Sequence, residues 1–129
     1  VRGKTDRREK GQALVELALL LPVLLLLLGG IVEFGRIFHA YLVITSASRE
    51  GARSAVVGEP YAEVREKIFA SAATLDENRL AFSLDPEDYV QGDMLTVTVT
   101  YNVELIFPFF SAVVPDPFPL RAATTMRVE

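Results

Sequence analysis

At 129 residues, with 13 basic and 17 acidic side chains and a net charge of −4, the chain has room for one membrane anchor and one small domain. It contains no cysteine and one histidine, which excludes disulfides, thiol catalysis and cysteine metal sites. Arg2, Lys4, Arg7, Arg8 and Lys10 against Asp6 and Glu9 give the first stretch a charge of +3, so the residues after Gly11 carry −7. An acidic remainder argues against nucleic acid as a partner, because phosphate binding needs a clustered basic surface.

Residues 1–11 are polar, charged and aperiodic, and read as a disordered basic cytoplasmic leader. From Leu17 to Val32 there is no charged side chain, and counting from Gln12 gives 21 residues, enough at ~1.5 Å per residue to span ~30 Å of hydrocarbon. The segment at about 13–32 is therefore expected to cross a membrane. Basic residues beside its start favour keeping that end in the cytoplasm, so the C-terminal part is expected outside. Glu16 lies at the edge of the span, where a carboxylate held deep costs ~2.5–3.5 kcal/mol, and so it needs a partner or a task. Pro22 removes one helical hydrogen bond and should bend the helix. A secretory signal peptide would need a small-residue cleavage motif after the apolar core, and Leu28–Glu33 has none.

Helical periodicity continues past Val32, with Phe34, Ile37, Phe38, Tyr41, Ile44 and Thr45 on one face, which predicts one helix from about Gln12 to Val57 within residues 12–58. Gly58 and Pro60 supply its stop. Ala47, Gly51 and Ala55 lie four apart, a small-residue stripe that suits a helix contact between subunits or, as preferred here, packing on the protein's own sheet. Glu33 with Arg36, and Glu50 with Arg53, are spaced for surface ion pairs.

Residues 59–129 read as a small α+β domain. Val64, Ile68 and Ala72 predict a helix from Tyr61 to about Leu75. Strands are expected from about Arg79 to Leu84, from Met94 to Glu104 and from Leu120 to Val128. In the second, Leu95, Val97, Val99, Tyr101 and Val103 face the core and the threonines face water. Between the last two strands, Pro108, Pro115, Pro117 and Pro119 interleave with Phe107, Phe109, Phe110 and Phe118. Prolines forbid a regular central strand, yet the phenylalanines are too apolar for an ordinary loop. The preferred reading is a connection folded over an open end of the sheet; a partner-binding or membrane-touching surface is the alternative.

Little here looks catalytic. His39 has no cysteine, serine or carboxylate at a spacing that forms a triad or metal site. Asp85, Glu87, Asp88 and Asp93 could ligate calcium from a loop, but the spacing is not that of an EF-hand and a solvated turn is the preferred account. Gly29, Gly30 and Gly51 lack the context of a phosphate loop. No enzyme, metal, cofactor or small-molecule substrate is expected.

The stretch KGQALVELALLLPVLLLLLGGIVEFGR, with glycine, four residues, then glutamate before an apolar run, resembles the processing site of type IV pilin-like proteins. Over Lys10 to Gly58, the GQxxVE start, the early Pro22 and the REGAR segment at Arg49–Arg53 are similar to the TadE-like family of minor pseudopilins. That resemblance implies a pilin-like fold with the long helix packed on a second helix and a three-stranded antiparallel sheet. It also implies cleavage by a prepilin peptidase between Gly11 and Gln12. Glu16 would then pair with the N-terminal amine of a neighbouring subunit during assembly. The implied partners are the peptidase, the membrane and other pilin or pseudopilin subunits in a heteromer. The setting would be the bacterial inner membrane, or the pilus, in a tight-adherence (Tad) system for attachment and biofilm formation. The alternative is an uncleaved single-pass anchor whose outer domain binds a partner in an export or assembly complex.

Overall fold

The computed structural model describes the backbone of residues 2–129 and the side chains of residues 6–129. In chain order it contains α1 (Arg2–Val56), α2 (Tyr61–Ser71), a 3-10 turn (Glu77–Arg79), β1 (Leu80–Asp85), β2 (Met94–Val103), a second 3-10 turn (Pro108–Ala112) and β3 (Phe118–Arg127). Two compact units divide the chain between Phe34 and Gly35, and the long helix α1 contributes to both.

In the first unit, helix extends back through the basic leader to Arg2, where the sequence suggested an irregular stretch before Gln12. Arginine, lysine and glutamate are good helix formers, and Lys10 Nζ reaches Asp6 Oδ2 at 3.0 Å across one turn. Val1 lies outside the described residues. Pro22 sits inside α1 without ending it. The leucines and valines from Leu14 to Leu28 are exposed on every side, and a helix that is apolar all round belongs in a core or a membrane. By length and composition this is a helix able to cross a membrane.

The second unit is α+β. Its core joins Ala40, Ile44, Ala47 and Ala55 of α1 to Val64 and Ile68 of α2 and to Leu95, Val97 and Val99 of β2. The sheet is antiparallel in the order β1-β2-β3. Its register sets Val99 opposite Phe82 on one side and Ala122 on the other. On the core face of the second strand Leu95, Val97, Val99, Tyr101 and Val103 are all buried, as expected. Of the threonines expected to face water, Thr100 is exposed, but Thr98 is buried and Thr96 half-buried.

Three expectations shift. The predicted face through Phe34, Phe38 and Tyr41 does not pack inward, since these rings are 70%, 53% and 45% exposed. The stripe that turns to the sheet is Ala40, Ile44, Ala47, Gly51 and Ala55, because small side chains let a helix backbone approach a sheet more closely than rings do. α2 ends at Ser71, not near Leu75, and Asp76 instead accepts the Asn78 N–H at 3.0 Å to start a 3-10 turn. β3 begins at Phe118, with Pro119 opposite Asn102; an edge strand tolerates a proline that a central one would not. At the end of α1, Gly58 has φ +82° and its N–H bonds the Ala55 carbonyl at 3.1 Å, the glycine stop the sequence indicated.

Candidate functional site

Two places carry the candidate residues, one in each unit. In the first, Gly11, Gln12 and Glu16 follow one another along α1, all exposed. Gln12 Nε2 donates to Glu16 Oε1 at 3.2 Å, the i,i+4 spacing that brings the two side chains together on one face. A Cβ added to Gly11 would meet nothing within 4 Å. A helical glycine costs about 1 kcal/mol relative to alanine, and here no neighbouring side chain within the unit offsets that cost. Glycine at this position therefore has no packing reason.

In the second unit, the segment between β2 and β3 gathers Phe107, Phe109 and Phe110. Their ring centroids are 5.7, 6.2 and 4.7 Å apart, and Phe109 is 48% exposed. The 3-10 turn is built from Phe110 N–H to Phe107 carbonyl at 3.1 Å and Val113 N–H to Phe110 carbonyl at 3.0 Å. Asp116 closes the segment by accepting the Leu105 N–H at 3.3 Å. Phe118 does not join these rings. It stands in β3 opposite Val103 and packs partly on the core. Ala47, Gly51 and Ala55 are buried within the unit; a Cβ on Gly51 would lie 2.6 Å from the Ile68 side chain and 3.3 Å from Val97.

Two polar clusters were not singled out from the sequence. Ser48, fully buried, donates to the Thr45 carbonyl and shares a hydrogen bond with Thr124 Oγ1, each at 2.8 Å. Glu59 takes Lys67 Nζ at 2.6 and 2.7 Å and also bonds the Ser54 hydroxyl. Lys67 first and Ser54 second hold the Glu59 carboxyl below the usual range, and Glu59 holds the lysine above its own. Serine spacing on a helix gives no warning that its far neighbour is a threonine 76 positions away. Arg36 Nη1 donates to the Glu104 carbonyl at 3.0 Å, a link the sequence did not suggest. Among the described residues Glu50 and Arg53 make no ion pair; Glu50 instead adds to the field that raises Lys67.

The remaining candidates have ordinary surroundings. His39 Nε2 lies 3.5 Å from Thr74 Oγ1 on the surface. Asp93 accepts the Val90 N–H at 3.0 Å, and no metal-binding group of carboxylates and histidines occurs among the described residues. A shallow cleft of ≈ 250 Å³ is lined by Phe69, Ala72, Ala73, Leu75, Glu77 and Leu80, with one carboxylate and no second reactive group.

Residues 11–53 match a family model described as TadE-like protein. No curated protein and no solved structure matches the chain. The matched segment starts at Gly11 and ends at Arg53, the last residue of REGAR, so the resemblance read from those motifs is borne out there. The similarity to that family thus covers residues 11–53, about a third of the chain.

Proposed function

We propose that the protein is a minor pseudopilin of a Tad-type pilus, anchored in the inner membrane by α1 with its C-terminal unit outside. A prepilin peptidase cuts it between Gly11 and Gln12, and it then takes part in pilus biogenesis for adhesion. The observation that carries this reading is that the family match begins at Gly11, a helical glycine with no packing role, five residues before a carboxylate at the edge of an apolar run. Short recognition segments need small residues and backbone access, which would account for glycine at a position where the helix gains nothing from it.

After cleavage Gln12 becomes the new N-terminus and Glu16 the fifth residue. Its carboxylate neutralises the amine of an adjacent subunit as apolar helices pack out of the membrane. The partners are other pilin or pseudopilin subunits, in a heteromer. Pairing matters because one charge left alone in a low dielectric costs several kcal/mol. The second reading, an uncleaved single-pass anchor that binds a partner in an export complex, rests on the exposed aromatic segment of the second unit.

Intact mass and N-terminal sequencing of the protein from its own host separate the two. Peptidase processing gives a chain that begins at Gln12, free or modified there. A chain still carrying the residues before Gln12 overturns the pseudopilin reading and leaves the anchor.

A further inference from the structure

The stretch from Leu105 to Pro115 carries no charge, yet it is folded on the outside of the second unit. Ile106, Phe109 and Val113 are 56%, 48% and 84% exposed. A contiguous apolar surface of this kind marks a contact with something other than water.

Its location follows from the chain. Arg36 Nη1 holds the Glu104 carbonyl at 3.0 Å, so the root of the segment is fixed beside Arg36. Four peptide links separate Arg36 from Val32, the last residue of the charge-free run, which limits the gap to about 14 Å at full extension. The chain thus holds the root of the aromatic segment within a few residues of the end of the charge-free run.

Its backbone suits the headgroup boundary. Irregular backbone is not tolerated in hydrocarbon with its donors unpaired. Pro108, Pro115 and Pro117 have no N–H to satisfy, and the N–H groups of Leu105, Phe110, Val113 and Val114 are bonded internally. The flanking charges are occupied: Glu104 Oε1 pairs with Arg79 Nη2 at 2.7 Å, and Asp116 accepts from Leu105. Such a segment can enter the boundary between headgroups and acyl chains, ~5–10 Å deep, without desolvating an unpaired charge.

We propose that residues 105–115 form an interfacial wedge, with Ile106, Phe109 and Val113 inserted into the outer headgroup boundary of the membrane that α1 crosses. The occupant of this surface is lipid. The inference rests on the membrane-spanning reading of α1 given above.

The chain has no tryptophan, so single-tryptophan variants report one site each. Phe109→Trp, Val113→Trp and Leu24→Trp of the full chain are reconstituted in phosphatidylcholine and phosphatidylglycerol vesicles. Bromines are placed either near the top or near the end of the acyl chains. Phe109→Trp and Val113→Trp are expected to emit to the blue of water and to lose at least about half their emission to the shallow quencher. Leu24→Trp should respond most to the deep one. If Leu24→Trp is quenched and both wedge variants are not, the wedge is wrong and the span stands. If none is quenched, the span fails and the wedge with it. A blue shift that grows with protein-to-lipid ratio, without bromine quenching, overturns the lipid assignment in favour of a second copy. Two wedge variants guard against one that fails to fold, and Val113, the most exposed, is the safer.

Discussion

Gly51 of α1 lies so close to Ile68 of α2 that a methyl group in place of its hydrogen would stand 2.6 Å from Ile68 Cδ1. Ile68 is itself fully buried, so it has nowhere to withdraw. Gly51→Ala would gain about 1 kcal/mol of helix propensity but meets this clash, and Gly51→Leu gains no more propensity and meets a worse one. We expect Gly51→Leu to lose about 1–3 kcal/mol in denaturant titration. Ile68→Ala should make Gly51→Ala far less harmful, a non-additive double mutant. Additive losses would mean that the two residues do not share the same space.

The Glu59–Lys67 pair predicts a pH window. The Glu59 carboxyl is held below its ordinary 4.5; its stabilising effect is thus full above that value and is lost as pH falls through the lower folded-state value. Lys67 is raised above 10.5; its effect is full below that value and lost as pH rises past the folded-state one. Melting the wild type and Glu59→Gln across pH should show a gap that is level between these limits and closes at both ends. Both groups are partly exposed, so added salt should narrow the gap. A gap independent of pH would show that the ionised Glu59 carboxylate, with its Lys67 and Ser54 partners, contributes nothing to stability.

Ser48 offers a test that separates polar satisfaction from packing. Its hydroxyl is fully buried between the Thr45 carbonyl and Thr124. Ser48→Ala deletes one donor and leaves Thr124, which is half-buried, to find water. The expected loss is about 1 kcal/mol. Ser48→Val adds volume against β3 and should lose more, about 2 kcal/mol. Equal losses would show that the added volume costs little and that the lost hydroxyl accounts for both.

Much of this was written in the sequence at the level of patterns. Alternation from Leu95 to Val103 is a two-residue period that one sheet face must satisfy, and the register follows it. The apolar run from Leu17 to Val32 is long and chargeless, and Gly58 stops α1 by a backbone geometry that few residues adopt. The α1 stripe was less legible. Phe38 with Tyr41 and Ala40 with Ile44 both fit a helical period, and periodicity does not say whether rings or small residues face the sheet; the closeness of α2 decides that. Long-range polar links are not periodic at all, so Arg36 to Glu104 and Ser48 to Thr124 could not be read. At the candidate processing site the reverse holds. Gly11 and Glu16 are legible as a motif and carry little structural signature, since each stands exposed along a helix.

Glu16 gives the sharpest test of assembly. Within the described chain its one hydrogen bond comes from Gln12 Nε2, so its carboxylate makes no contact with a positive charge. Glu16→Ala removes no packing from the second unit, and membrane insertion, driven by the apolar run from Leu17 to Val32, should be unchanged. Assembly should fail, because the amine of a neighbouring subunit would be buried alone at a cost of about 3–5 kcal/mol, two orders of magnitude or more in association. Glu16→Gln, which keeps the shape and the hydrogen bond to Gln12 but not the charge, should fail nearly as badly. Fractionation reads insertion, and sheared-pilus yield reads assembly. Normal yield from Glu16→Gln would show that the carboxylate charge is not used. Loss of both insertion and yield would mean that Glu16 acts on entry into the membrane and not on subunit pairing.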